Sequence, residues 1–183
     1  KGRLVEEAIS LFASAGRKID APNERQHVAR VPAIPDIEVV FQRPKDIVNK
    51  VADGSVDIGV TGYDVIQELA ADDSDIVLIE PLGFAKCRLV LAVPDSWIDV
   101  TRFADLADLA AEYKDQGKSI RIVSGYQNLT KEWLYKKNFT NFQMVHSHGA
   151  LEAAPGMGYA DIIADITQTG TTLRENRLKE IDG

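Results

Sequence analysis

A chain of 183 residues, 45% hydrophobic and 27% charged, carries the apolar supply of one ordinary folded domain or of two small ones. Its net charge of -7 excludes a protein that coats nucleic acid or an anionic membrane through its overall field, while a local basic site stays open. The single cysteine, Cys87, excludes an internal disulfide framework and points to a reducing compartment.

In chain order, Leu4, Val5, Ala8, Ile9, Leu11, Phe12 and Ala15 recur at helical spacing, with Gly16 where a helix C-terminal glycine belongs. Residues 37–42 (IEVVFQ) read as a strand, and Pro44 then opens a helix ending near Gly54. Short apolar runs at 57–61, 76–79, 88–93, 120–123, 143–147 and 160–166 predict further strands. Between them 64–71, 101–113, 128–137 and 150–158 have helical patterns. Strands interleaved with helices of this length imply βαβ units, an α/β protein and a mostly parallel sheet buried on both faces. No apolar run nears the roughly 18 residues that span a bilayer.

No proline-rich or Gly/Ser-rich linker divides the chain, so a boundary between lobes must be a pair of short crossovers. Ala92-Val93-Pro94-Asp95 and the return near 173–177 fit best. They place 1–92 plus 176–183 in one domain and 93–175 in the other. A short echo between ADGSVDIGVTG at 52–62 and GMGYADIIADI at 156–166 agrees with two related lobes, although every βαβ unit repeats such grammar.

The most informative stretch is 162–173, IIADITQTGTTL. An apolar strand ends at Asp165 and runs into Thr169-Gly170-Thr171-Thr172, beyond the carboxyl end of a strand, where open α/β sheets bind ligands. Glycine lets successive N–H groups converge on a phosphate, and the threonine hydroxyls add donors. Asp165 would repel a phosphate but can accept hydrogen bonds from vicinal hydroxyls, and the two together suit a ribose 5-phosphate. The plainer reading is a Thr-Gly turn capping a helix, with Asp165 ending a strand.

Asp165 through Leu173, preceded by Gly149-Ala150-Leu151-Glu152-Ala153-Ala154-Pro155 and Gly158-Tyr159-Ala160-Asp161, resembles the phosphoribosyl pyrophosphate signature of ATP phosphoribosyltransferase, the first enzyme of histidine biosynthesis. The likeness extends in order to Lys1-Gly2-Arg3-Leu4, Gln42 through Ile47, Asp57 through Asp64, Cys87-Arg88-Leu89 and Asn176 through Ile181. Ala164, before Asp165, departs from type I phosphoribosyltransferases, which place two acids there.

The resemblance implies a two-lobed, periplasmic-binding-protein-like (type II) fold with a cleft between the lobes. It also implies a Mg2+-dependent transfer of the 5-phosphoribosyl group from phosphoribosyl pyrophosphate to N1 of ATP, without a protein nucleophile. On this basis Thr169, Gly170, Thr171 and Thr172 take the 5-phosphate, and Asp165 takes the ribose hydroxyls. Glu152 and Asp161 are acidic neighbours of ribose or magnesium, or else solvated acids, and Gly149 permits close backbone approach. Lys1, Arg3, Arg43, Lys45 and Arg88 supply cations for ATP. Asp64 faces the nucleotide or caps a helix, and Tyr126 stacks on adenine or simply packs. The ligands of magnesium stay open. The family also implies a homo-oligomer with, in short forms, a separate regulatory subunit, and no nucleic-acid or membrane partner. A chain without a C-terminal regulatory domain is expected, as is a cytoplasmic location, or a plastid if a transit peptide was removed. The competing reading is a binding module of the same fold that closes on a small anion, or a non-catalytic paralogue.

Overall fold

A computed structural model describes residues 3–20, 27–69, 76, 81–146 and 150–183. It divides into two units, Lys1–Lys86 and Cys87–Gly183.

In the first unit the opening amphipathic run forms α1 (Arg3–Ser14), and Ile9 and Phe12 pack on a small core of Ile19, Ala29 and Val31. Gly16 has φ 71°, the left-handed turn that ends a helix without a Cβ penalty. Two short strands, β1 (Val28–Arg30) and β2 (Glu38–Val40), pair antiparallel with Ala29 opposite Val39. The expected strand at 37–42 is therefore present but shorter. Next come α2 (Pro44–Ala52) and α3 (Tyr63–Leu69), with Pro44 in the first turn, where its missing N–H costs nothing.

Residues 57–61 do not form the expected strand. A strand needs a ladder partner, and the described residues supply none there. The segment instead crosses α2 so closely that a Cβ on Gly59 would fall 2.6 Å from Ile47 Cγ2. The expected strand at 76–79 lies almost wholly outside the described residues, as does the end of the expected helix 64–71.

The second unit is a five-stranded sheet built from β3 (Arg88–Pro94), β4 (Ile120–Ser124), β5 (Phe142–Val145), β6 (Ile162–Thr167) and β7 (Leu178–Asp182). Its spatial order is β5-β4-β6-β3-β7. The sheet is mixed: β4 runs parallel to β5 and β6, whereas β3 runs antiparallel to β6 and β7. The other elements are α4 (Phe103–Asp115), α5 (Gln127–Lys136) and the short α6 (Thr171–Glu175).

The continuous apolar runs are explained by cover on both faces. Leu91, Val93, Ile120, Ile122, Ile162 and Ala164 join one core with Leu106 and Leu134, while Val90, Ala92, Val123 and Ile163 join another with Ala154 and Leu173. Alternate residues of each strand feed opposite faces.

The first turn of α4 is fastened by Asp105, whose carboxylate accepts from Thr101 N and Oγ1 at 2.9 Å each and from Arg102 N at 3.1 Å. Led by the Thr101 backbone bond, these donors hold its pKa down at about 2. The expected helix at 150–158 is reduced to a 3-10 turn, Leu151–Ala153, followed by turns. Pro155 removes a helical donor there, and Gly156 and Gly158 favour turning.

The expected domain limits also give way. Residues 87–92 and 176–183 belong to the second unit, because β3 is hydrogen-bonded to β6 on one side and to β7 on the other.

Candidate phosphoribosyl site

The parallel strands β4 and β6 end on the same side of the sheet, with Ser124 beside Ala164. Beyond β6 the chain turns through Gly170, which adopts φ 70° and is buried, so a glycine is needed there. Its N–H donates to Thr167 Oγ1 at 2.8 Å. The hydroxyls of Thr169 and Thr171 lie 3.0 Å apart, and Thr171 N–H approaches Thr169 Oγ1 at 3.4 Å. Thr171 and Thr172 open α6 and are exposed. The loop is thus a tight turn rich in hydroxyls, but the plainer reading of a threonine cap does not hold: Gly170 caps α6 without a side-chain bond, and Thr171 and Thr172 lie inside the helix.

Two residues before the end of β6, Asp165 lies on the same side of the strand as Thr167. It is half-buried and accepts a hydrogen bond from Ile166 N at 2.8 Å. Burial pushes its pKa up, the Ile166 bond opposes this, and the nearby charge of Glu152 pushes it further up. Among the described residues no cation pairs with Asp165. Glu152 stands on the 3-10 turn over this end of the sheet.

Between them passes Gly125, where a Cβ would lie 3.4 Å from Leu151 Cδ1 and 4.0 Å from Asp165 Oδ1. A buried polar ring sets that turn. Thr130 Oγ1 contacts Tyr126 O at 2.6 Å, Ser124 Oγ lies 3.0 Å from Thr130 Oγ1, and Tyr126 N–H donates to Ser124 Oγ at 2.9 Å. Each hydroxyl has one proton, so Thr130 must donate to Tyr126 O and Ser124 to Thr130.

Several expected site residues fall elsewhere. Asp161 precedes β6 and stands roughly 13 Å from Asp165 along the extended chain. Its carboxylate is occupied by Arg121, accepting from the backbone N at 2.7 Å, Nε at 3.2 Å and Nη2 at 2.7 Å. That corrects Asp161 from a ribose or magnesium neighbour to a structural anchor, because its lone pairs are taken at the wrong end of the strand. Arg88 is likewise bound to Glu180, with Nη2 2.6 Å from Oε2, rather than held open as a cation.

In the first unit, Arg43 precedes α2 with its side chain exposed and making no cap, and Lys45 is exposed in the first turn. Asp64 sits inside the first turn of α3 and does not precede it as a cap would. Its Oδ1 takes the space that a Cβ on Gly62 would need. Tyr126 immediately precedes α5 and is half-buried. Arg3 begins α1, but its side chain, together with Lys1 and Gly149, lies outside what the structure describes.

Sequence reasoning missed Thr167, Gly125, Ser124, Thr130 and Arg174. Arg174 Nη2 donates to Thr169 O at 3.1 Å and to Thr171 Oγ1 at 3.4 Å. The available signal was a basic residue three positions after Thr171 on a helix, the spacing that faces one turn.

The family model described as HisG: ATP phosphoribosyltransferase matches residues 43–183. This chain belongs to the ATP phosphoribosyltransferase family. The ATP phosphoribosyltransferase of Brucella melitensis is 42% identical over 186 residues, covering 100% of this chain and 80% of that protein. The one from Mesorhizobium japonicum is 40% identical, covering 98% and 79%. Among solved structures, a chain of the ATP phosphoribosyl transferase (HisG:HisZ) complex from Thermotoga maritima superposes with a TM-score of 0.69 at 27% identity, covering 100% of this chain and 78% of that one. The α/β, periplasmic-binding-protein-like fold expected from the sequence is thereby established, and the chain is a transferase of the first step of histidine biosynthesis. The matches favour this enzyme over the anion-binding module. Among the described residues, no helix is long and apolar enough to cross a membrane.

Proposed function

We propose that the loop after β6 holds the 5-phosphate of phosphoribosyl pyrophosphate through Thr169, Gly170, Thr171 and Thr172, and that Asp165 holds the ribose hydroxyls. The observation that carries this is Asp165 itself: a half-buried carboxylate, raised by burial, with no cation beside it among the described residues. With a single backbone donor, from Ile166, such a group has lone pairs to spare, and sugar hydroxyls fill them without bringing charge.

In the reaction, the anomeric carbon gains a bond to N1 of adenine as its bond to pyrophosphate breaks. Positive charge develops on the ribose ring, and a carboxylate fixed beneath it in a poorly solvated site stabilises that charge. The ring of Ser124, Thr130 and Tyr126 keeps Gly125 close to Asp165 and prevents its turn from drifting.

Asp165 and Glu152 also fit magnesium. Among the described residues no group of three or more potential ligands could hold a metal alone, and magnesium characteristically uses one or two carboxylates with substrate phosphates. When bound it neutralises the departing pyrophosphate. For ATP we assign Arg43 and Lys45, together with Lys1 and Arg3, as phosphate-binding cations of the first unit. We extend the reading to a cytoplasmic homo-oligomer with a separate regulatory subunit; the Thermotoga protein is named as a complex of two components, HisG and HisZ, which supports a second subunit, and light scattering with and without the candidate subunit tests it.

The decisive assay supplies ATP, phosphoribosyl pyrophosphate and magnesium and follows the ultraviolet absorbance of N1-substituted adenine. Turnover is expected, with loss in Asp165→Ala and a raised KM for phosphoribosyl pyrophosphate in Thr171→Ala. Unchanged activity in both variants would leave the enzyme but remove this site.

A further inference from the structure

We propose that Arg174 is the residue that recognises the 5-phosphate as a dianion, an inference that rests on the loop assignment above. The loop's neutral donors are partly engaged within the loop. Gly170 N–H is taken by Thr167 Oγ1, and the Thr169 and Thr171 hydroxyls face each other. The helix that follows has five residues, too short to supply much dipole. Against this stand the chain's net charge of -7 and the carboxylates of Asp165 and Glu152 on the same side of the sheet. A phosphomonoester brings up to about two negative charges, and hydroxyls alone do not balance them.

Arg174 is placed to do so. Its two bonds from Nη2, to Thr169 O and Thr171 Oγ1, lay the guanidinium along the loop. Nη1 passes 3.3 Å from where a Cβ on Gly170 would stand, so it flanks the turn itself. The bonds to Thr169 and Thr171 occupy both hydrogens of Nη2. The remaining three N–H groups, two on Nη1 and one on Nε, make no hydrogen bond among the described residues.

By donating to Thr171 Oγ1, Arg174 also leaves that hydroxyl's single proton for Thr169 or for a ligand oxygen. A cavity of about 480 Å³, lined by Asp95, Gly170, Leu173, Arg174, Lys179 and Glu180 among others, adjoins the guanidinium and gives it room to adjust. The other charged groups there do not neutralise it. Glu180 binds Arg88, Lys179 Nζ donates to Trp97 O at 2.6 Å, and Asp95 forms no ion pair with Arg174.

The test uses the full chain with Arg174→Gln, Arg174→Lys and Thr171→Ala, reading kcat, both KM values, Tm and competition by ribose 5-phosphate. Arg174→Gln is expected to raise KM for phosphoribosyl pyrophosphate, and the inhibition constant of ribose 5-phosphate, roughly 10- to 100-fold, as for loss of a charged hydrogen bond. The KM for ATP, kcat and Tm should stay near wild type, because the phosphate is remote from the reacting carbon. Arg174→Lys should recover part of the loss, restoring charge without the planar donors. An unchanged KM in Arg174→Gln, with a raised one in Thr171→Ala, would overturn the role of Arg174 and keep the loop. Unchanged KM in both would overturn both. A lowered Tm with uniform loss in kcat and both KM values, not rescued by lysine, would make Arg174 a mere prop of the loop and overturn the proposal as well.

Discussion

Asp161 and Asp165 flank the same run of three apolar residues, yet the fold treats them in opposite ways. Asp161, at the amino end of β6, has both oxygens hydrogen-bonded to Arg121, whose Nη1 also donates to Gly158 O at 2.9 Å. The arrangement raises the Arg121 pKa, first through the side-chain bond to Asp161. Asp165, nearer the carboxyl end, receives one backbone bond and is pushed the other way by burial. A saturated carboxylate holds the structure together. An undersupplied one, at the end of the sheet where ligands gather, waits for donors.

The strongest way to break this contrast is Asp165→Asn. It should lower kcat/KM on the order of a hundredfold or more, since charge opposite a developing cation is lost. Its Tm at neutral pH should not fall, because a poorly solvated charge is removed with little change of shape. A stability loss with near-normal kinetics would reverse the assignment.

Next in size is Thr130→Val, aimed at the ring that positions the turn beside Asp165. Thr130 is fully buried, so the valine leaves the buried Ser124 hydroxyl without its acceptor, while Tyr126 O keeps the Thr130 N–H and loses its second donor, and this should cost about 1–3 kcal/mol in urea unfolding. If the turn matters to the site, kcat should fall as well; intact kcat at reduced stability would confine the ring to folding.

Asp161→Asn should do less. Its pair with Arg121 is partly exposed, with the arginine side chain at 42% exposure, and about 1 kcal/mol is the reasonable scale. Kinetic constants should remain at wild-type values. A selective loss of activity at unchanged Tm would return Asp161 to the site.

How much of this was legible in the sequence follows from what each feature depends on. The strands of the second unit and their flanking helices were readable because both faces are covered, which leaves runs such as Ile162–Ala164 uninterruptedly apolar. The loop after Asp165 was readable because glycine and threonines stand at a strand's end. The segment at 57–61 misled because a short apolar run resembles a strand, while Gly59 actually serves close packing on α2. The pairing of Asp161 with Arg121, 40 residues earlier, and of Arg88 with Glu180, 92 residues later, depends on strand neighbours that no local pattern encodes. The direction of β3 was hidden for the same reason. An apolar run says that a strand is buried, not which way its neighbours point.

The smallest effect is also the most direct probe of Asp165's surroundings. Its folded pKa is raised above the ordinary aspartate value of 3.8, first by burial and further by Glu152. Between those two pKa values the native state binds more protons than the unfolded chain. The group's contribution to stability is therefore fully present below 3.8 and is lost as pH rises through the raised folded value. Asp165→Asn cannot titrate at this position. The stability of the variant relative to wild type should accordingly increase with pH across this window and level off above it, as read by urea unfolding between about pH 4 and 7. Glu152→Gln should move the rise to lower pH without abolishing it, because burial, the larger cause, remains. A stability difference that does not change with pH would mean that Asp165 is as well supplied with partners as Asp161, and the distinction between the two ends of β6 would fail.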